Sequence, residues 1–440
     1  MTRKRVLAGL AVAAGLIALT WVIFAGLAVL ATRRVERAWA AAWLSMDDFE
    51  RRFPAVETNA DARRLEDLAA CVGIDFARRT EGEPPRQPAG CAAEVPDPVG
   101  QLTAVKSALA EHQIAQLSRP DDRLDPPPPE VVAWLAAQHA NLAAVRNHLR
   151  ASEPRWRVDV GLGYQAPLPN LLAVLNLQRV LITAAGEAQR QGRPDEAAAF
   201  LDASLALDAA LADRPELISQ LVSAAAARLQ AGLLRRLDPP PPGRAARLAA
   251  HDRWRSFLTA IEGEGWVHLH GEPAGALPPE QEVSAARRFG LTVGRPLVRL
   301  SVAGVSERLA GAVGALAVQD ACADPPAAVT ADPEQLFPRW NTLARVAWPH
   351  LADASRRIAR VRLDVELSGQ VVALREARAR DGRWPSTGEG LPSALCPGER
   401  WLVRALPDDR LELSFSRELP AGAGPVLELP LAAALSPPAP

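Results

Sequence analysis

The chain of 440 residues exceeds the size at which one hydrophobic core keeps growing, so two or three packed units are expected. Hydrophobic residues make up 48% of it but aromatic residues only 5%, and the richness in alanine and leucine favours helices over sheets. With 50 basic and 51 acidic residues the formal net charge is -1, which leaves no global field to attract nucleic acid or another polyanion.

After Arg3, Lys4 and Arg5, residues 6–31 read VLAGLAVAAGLIALTWVIFAGLAVLA and carry no charged side chain. At about 1.5 Å per residue such a helix crosses a hydrocarbon core of roughly 30 Å with room for tilt. The apolar region of a cleaved signal peptide is about 7 to 15 residues long, so this longer stretch reads as an uncleaved transmembrane anchor that contacts the lipid bilayer. Arg3, Lys4 and Arg5 on one flank nearly balance Arg33, Arg34 and Arg37 on the other. The free amino terminus and the even number of cysteines tip the expectation toward an inner-membrane protein whose body lies in the periplasm. The helix is expected to continue as a juxtamembrane stalk over 33–52, with Trp39 and Trp43 at the membrane interface and Pro54 as its end.

The run ETNADARRLEDLAACVG predicts a helix with Asn59 as N-cap, an apolar face of Leu65, Leu68, Ala69 and Val72, and a stop at Gly73. A further helix is expected over Val99 to Leu117. The sequence LDPPPP occurs at 124–129 and again at 237–242, each time ahead of a helical stretch, 130–151 and 243–263. Proline tolerates the first helical turn, so both runs read as rigid lead-ins in preference to docking motifs.

Between the two runs, the segment from Asn170 to Pro215 predicts two helices joined at Gln191-Gly192-Arg193-Pro194. Ala185, Gly192, Ala197 and Leu201 fall where a tetratricopeptide hairpin places its packing residues, so about 34 residues resemble one such repeat. The next helix carries Leu217, Leu221, Ala224, Leu229 and Leu233 as a core stripe, with arginines in its last turns where the helix dipole favours cations. From Gly263 to Pro338 the periodicity weakens, and loops around a helix near Pro296 to Val318 are expected. A long helix from Asn341 to about Asp381 follows, ended by Gly382 and Pro385 in RDGRWPSTGEGL. Two short strands joined at Pro407-Asp408-Asp409 and a third in GPVLELPL complete the body.

The expected fold class is therefore mainly α: an N-terminal transmembrane helix, a multi-helix body with a tetratricopeptide-like hairpin, and a small C-terminal antiparallel β element. Its parts are a cytoplasmic stub and anchor over 1–32, the stalk over 33–52, a helical domain over 53–262, a loop-rich helical connection over 263–340, a long helix with a small sheet over 341–432, and a disordered tail over 433–440.

Four cysteines, Cys71, Cys91, Cys322 and Cys396, allow three pairings, and the spacing alone does not choose among them. Local pairs, Cys71 with Cys91 and Cys322 with Cys396, are expected because each lies within one predicted unit. Closing the polar Pro/Gly-rich loop between the first two would stabilise the fold by about 3 kcal/mol.

Chemistry is sparse. His268 and His270 alternate in what reads as an extended segment, so two imidazoles could share a face, but a zinc site needs a third protein ligand. Glu262, Glu264 and Glu272 are near them only in sequence. There is no G-x-S-x-G elbow, no phosphate-binding loop and no dinucleotide fingerprint. The acidic pairs Asp121–Asp122 and Asp408–Asp409 fall in turns, where aspartate serves the backbone. No catalytic or cofactor-binding residue is therefore assigned, and no cofactor is expected.

The stretch ALREARARDGRWPSTGEGL resembles the point where type II secretion major pseudopilins leave their long helix, although the anchor lacks the prepilin-peptidase site and glutamate of such subunits. The anchor, the RPELISQLV…ARLQAG helix, the NTLARVAWPHL helix start and the Gly-Arg-Trp-Pro turn are together similar to single-pass, mostly helical envelope proteins of Gram-negative bacteria. That likeness implies a location and a fold, with no activity attached. The leading expectation is a non-enzymatic, membrane-anchored helical domain with a scaffold or interaction role toward an envelope protein partner and no nucleic-acid ligand. An envelope hydrolase with a metal or other unrecognised site and a pseudopilin-like secretion component are the alternatives.

Overall fold

The computed structural model describes residues 3–41, 46–76, 90–270, 285–385, 390–407, 409–419 and 431–436. About two thirds of them are helical: α1 (Arg3–Ala41), α2 (Met46–Arg52), α3 (Ala60–Cys71), α4 (Pro98–Ser118), α5 (Pro129–Ala137), α6 (His139–Ala151), α7 (Leu171–Arg190), α8 (Pro194–Ala212), α9 (Leu217–Leu234), α10 (Arg244–Ala250), α11 (Arg253–His270), α12 (Ala285–Ala317), α13 (Ala327–Thr330), α14 (Pro333–Leu336), α15 (Thr342–Ala347) and α16 (Leu351–Asp381). A small antiparallel sheet of β1 (Leu391–Pro392), β2 (Arg400–Leu406), β3 (Arg410–Phe415) and β4 (Ala432–Leu435), paired in chain order, closes the body.

The helix starts follow from side-chain caps. The Asn59 amide oxygen accepts from the Ala62 N–H at 2.8 Å, Asn170 from Ala173 at 3.1 Å, and Asn341 from Ala344 at 3.1 Å, each satisfying a backbone donor that the first turn leaves unpaired. At the other end of α16, Gly382 adopts φ 70°, the left-handed conformation that ends a helix cheaply only in glycine. Trp384 then donates its indole N–H to the Asp409 carbonyl at 2.7 Å while Arg378 stacks on its ring, which ties the turn to the β2–β3 connection.

α7 and α8 form the predicted hairpin, and α9 packs against both and against α16. α1, α7, α9 and part of α12 are each long and apolar enough to cross a membrane. Burial separates them: the apolar window of α1 is 6% buried, whereas those of α7 and α9 are 72% and 83% buried inside the body. α7 and α9 are therefore core helices of the body.

Several expectations are corrected. Residues 130–151 are helical apart from a one-residue kink at Gln138 (φ -92°, ψ 4°), whose buried side chain accepts from Asn141, which in turn bonds both backbone groups of Ala93. Residues 243–263 break at His251 and Asp252, where the Arg253 guanidinium takes the Leu248 carbonyl at 2.9 Å. Residues 263–270 are helix, not loop, and α12 begins well before Pro296, which sits inside it. The long C-terminal helix starts at Leu351, because Pro349 stops α15 near Trp348. Trp39 is no interface residue: it is fully buried and donates to the Ser306 hydroxyl at 3.0 Å, while Trp43 lies outside the described residues. The last strand lies at 432–435, just after the GPVLELPL run whose first seven residues are outside the description. The tail reading for 433–436 fails, since Ala434 bonds the Pro120 carbonyl and Ser436 bonds Asp122.

The sulfurs of Cys71 and Cys91 lie 1.99 Å apart and those of Cys322 and Cys396 1.94 Å apart, the two local pairs. The second joins the segment after α12 to the β1–β2 connection, across 74 residues of sequence.

Candidate functional site

A cleft of about 840 Å³ lies between residues 150–158, α8 and α10. Its first wall is the extended segment Ser152 to Val158, which leaves α6 and pairs with residues 56–59 through Val56 N–H to Val158 O at 2.8 Å and Val158 N–H to Val56 O at 3.0 Å. Pro154 suits an extended wall because it has no N–H to satisfy. Arg214 braces the wall from behind: its buried guanidinium donates to the Trp156 and Arg157 carbonyls at 3.3 and 3.2 Å and to Glu216 at 2.7 Å. Trp156 stacks on Phe76 at 5.7 Å with 5° between the rings and donates to Glu66 at 3.0 Å.

The floor is one stripe of α8, Asp202, Ala206, Ala209 and Ala210, spaced so that a 3.6-residue period stacks them on one face, and Asp213 just past its end. Alanines there let another backbone approach closely. Asp202 is held by Arg244 at 2.8 Å and by Arg247 at 3.6 Å, which fixes the α10 side of the cleft. Arg150, Arg155, Glu153 and Asp213 are exposed at its margin, so both signs of charge line it. A rigid wall, a smooth floor and a charged margin suit an extended polypeptide better than a small molecule, which favours a more enclosed and apolar pocket.

The arginines at the end of α9 are buried. Arg235 is buried and donates to the Asp364 carboxylate at 2.8 Å, to the Asp364 carbonyl at 3.1 Å and to Ser368 at 2.9 Å, and Arg228 approaches the same carboxylate at 3.9 Å. Arg236 donates to the Gly232 and Arg119 carbonyls at 2.8 Å, and desolvation, aided by Arg235, pushes its pKa down to about 10. Arg375 takes the Leu237 carbonyl at 2.7 Å and Asp122 at 2.8 Å. These charges join α9, α16 and the first proline run, and they are committed to that role.

A cavity of about 50 Å³ beneath the first proline run is lined by His112, Asp125 and Glu187, residues that sequence reading passed over because they come from three separate segments. It has room for a few waters only. Glu187 is held by two hydrogen bonds of 2.8 Å from Arg190, which keep its carboxyl below the usual range against the opposing effect of burial. Burial pushes the His112 pKa down, with Asp125 and Glu187 opposing.

His268 and His270 lie on α11, not on an extended segment. A helical backbone does not give positions two apart a common face as an extended segment does, so the alternation that paired them is not the local geometry. His268 is 5% exposed and burial pushes its pKa down to about 4; the His270 side chain and Glu272 are outside the described residues. Glu262 is bonded to Arg52, and burial raises the pKa of both Glu262 and Glu264. Among the described residues no three His, Cys, Asp or Glu side chains converge as a metal site requires.

No family model matches the chain, and neither a curated protein nor a solved structure does.

Proposed function

We propose that the chain is a non-enzymatic, membrane-tethered binding module of the bacterial envelope, and that its cleft takes an extended segment of a protein partner. In this reading residues 6–31 anchor it in the inner membrane, and the body, with its two cystine pairs, lies in the oxidising periplasm. The observation that carries the reading is the cleft itself: Arg214 and the Trp156–Phe76 stack hold its wall in place before any ligand arrives. Such preorganisation lowers the ordering cost of binding. The α7–α8 hairpin with α9 against both helices supports the likeness to one tetratricopeptide unit with its following helix. The small water-sized cavity at His112 offers no comparable room for a hydrolase substrate.

Replacing Ala209 and Asp213 by Trp would fill the floor while leaving the body's core untouched, since both are exposed. The double variant is expected to fold with unchanged thermal stability yet lose at least tenfold in affinity for the partner that co-purifies from membranes with the parent protein. Retention of that partner at unchanged affinity would sink the cleft as its site.

A further inference from the structure

The wall and the floor of the cleft run in the same direction. At one end Arg146 of α6 reaches Glu196 at 3.2 Å and lies over the Phe200 ring, both in the first half of α8. At the other end Arg214, just past α8, takes the Trp156 and Arg157 carbonyls. The two paths between those contacts agree in length, since helix to residue 151 and extended chain to 157 cover about 27 Å, as does helical rise from 196 to 214. The wall therefore carries Arg150 toward the Asp202 end of the cleft. Arg247 lines the same end, 3.6 Å from an Asp202 that Arg244 already holds at 2.8 Å. Asp213 stands at the opposite end, beside Arg214.

Little of the wall's backbone is left to pair with an incoming strand. The N–H groups of Arg155, Arg157 and Val158 donate to Asn59, Thr58 and Val56, and Pro154 has none. The carbonyls of Glu153, Arg155, Trp156, Arg157 and Val158 accept from Asn59, Arg214 or Val56. An occupant is therefore read by its side chains, in contrast to a strand added to a sheet edge. Two charges of the lining are free for this: Arg150 and Asp213 are exposed and make no side-chain hydrogen bond or ion pair among the described residues. Arg247, its side chain 49% exposed and only loosely held by Asp202, can turn to the same ligand group as Arg150.

We propose that the cleft selects a bipolar extended segment, whose Asp or Glu side chain meets Arg150 and Arg247 and whose Lys or Arg side chain meets Asp213. The inference rests on the cleft being a peptide site. From Asp202 to Asp213 the helix rises about 16 Å, which extended chain covers in about five residues, and that spacing separates the two charges of the segment. The residues between them lie against Ala206, Ala209 and Ala210. Opposite charges at the two ends set the direction and register of the segment, and a like charge at either end repels a wrong one.

The test measures fluorescence anisotropy of labelled synthetic peptides on the full chain in detergent micelles. The peptides share an uncharged Ala/Thr framework and differ at two positions, about five apart, which carry Asp and Lys in either order, two Asp, or two Lys. The better of the two mixed peptides should bind about fivefold tighter than either like-charged peptide at low salt, a margin that shrinks as salt screens exposed charges. Arg150→Glu should make the two-Lys peptide the preferred one, and Asp213→Arg the two-Asp peptide, with thermal unfolding unchanged because both positions are exposed. Ala209→Trp, which fills the floor, should abolish binding of all of them. Peptides bound alike by the parent and lost in Ala209→Trp, or a charge preference that neither reversal moves, would overturn the bipolar code and leave the cleft standing as a peptide site. Binding that survives Ala209→Trp, or none by any peptide, would overturn the code and the peptide site together.

Discussion

Asp364 faces Arg235 at 2.8 Å and Arg228 at 3.9 Å, and the same neighbourhood holds Arg360, whose pKa burial pushes down to about 10. A carboxylate that offsets several buried cations is costly to remove, because the charges left behind stay desolvated. Asp364→Ala is therefore expected to lose about 3–5 kcal/mol in denaturant unfolding, against about 1 kcal/mol for Ser368→Ala, which removes one neutral partner of Arg235. A loss at Asp364 no larger than that at Ser368 would contradict the charge knot. His268 gives a pH signature. Its folded pKa of about 4 lies below the ordinary 6.5, so the folded state keeps the imidazole neutral and the stability is fully present only above about pH 6.5. It is lost as pH falls toward 4, by roughly 2 kcal/mol between about pH 7 and pH 5. His268→Gln should remove that part of the pH dependence in thermal unfolding, leaving what His112 and His251, both lowered by burial, contribute.

At the scale of elements, the caps were legible and the breaks were not. Asn59, Asn170 and Gly382 mark helix ends by local chemistry alone, and the structure uses all three. At the Gln138 kink, Asn141 bonds Ala93, far away in sequence, and no local pattern announces that meeting. The cleft was illegible for the same reason: residues 56–59, 150–158 and 202–214 meet through Arg214, the Val56–Val158 pairing and the bonds of Thr58 and Asn59 to residues 153–157, all distant in sequence. Trp39 was misread because its neighbours in sequence are membrane-proximal while its partners, Gly265 and Ser306, come from the α11–α12 pair. At Gly265 an added Cβ would stand 2.1 Å from the Trp39 ring. Gly265→Ala should force α1 off the body at a cost of about 1–3 kcal/mol, seen as faster amide exchange over residues 31–41 with α7 and α9 unaffected. Unchanged exchange there would show that α1 is not seated by this contact.

Over the whole molecule, an apolar helix able to cross a membrane leads into a helical body whose loops are closed by two cystine pairs. Buried ion pairs join α9 to α16 and α16 to the segment before the first proline run, and the cleft is a feature without a structural task among the described residues. If a partner occupies it, a photo-crosslinking amino acid at Ala209, exposed on the cleft floor, should give one discrete adduct in intact cells. The same probe at Val346, 85% exposed on α15, should give none, and Ala206→Trp should abolish the Ala209 adduct. No adduct at Ala209, or the same adducts from both positions, would contradict the binding role assigned to the cleft.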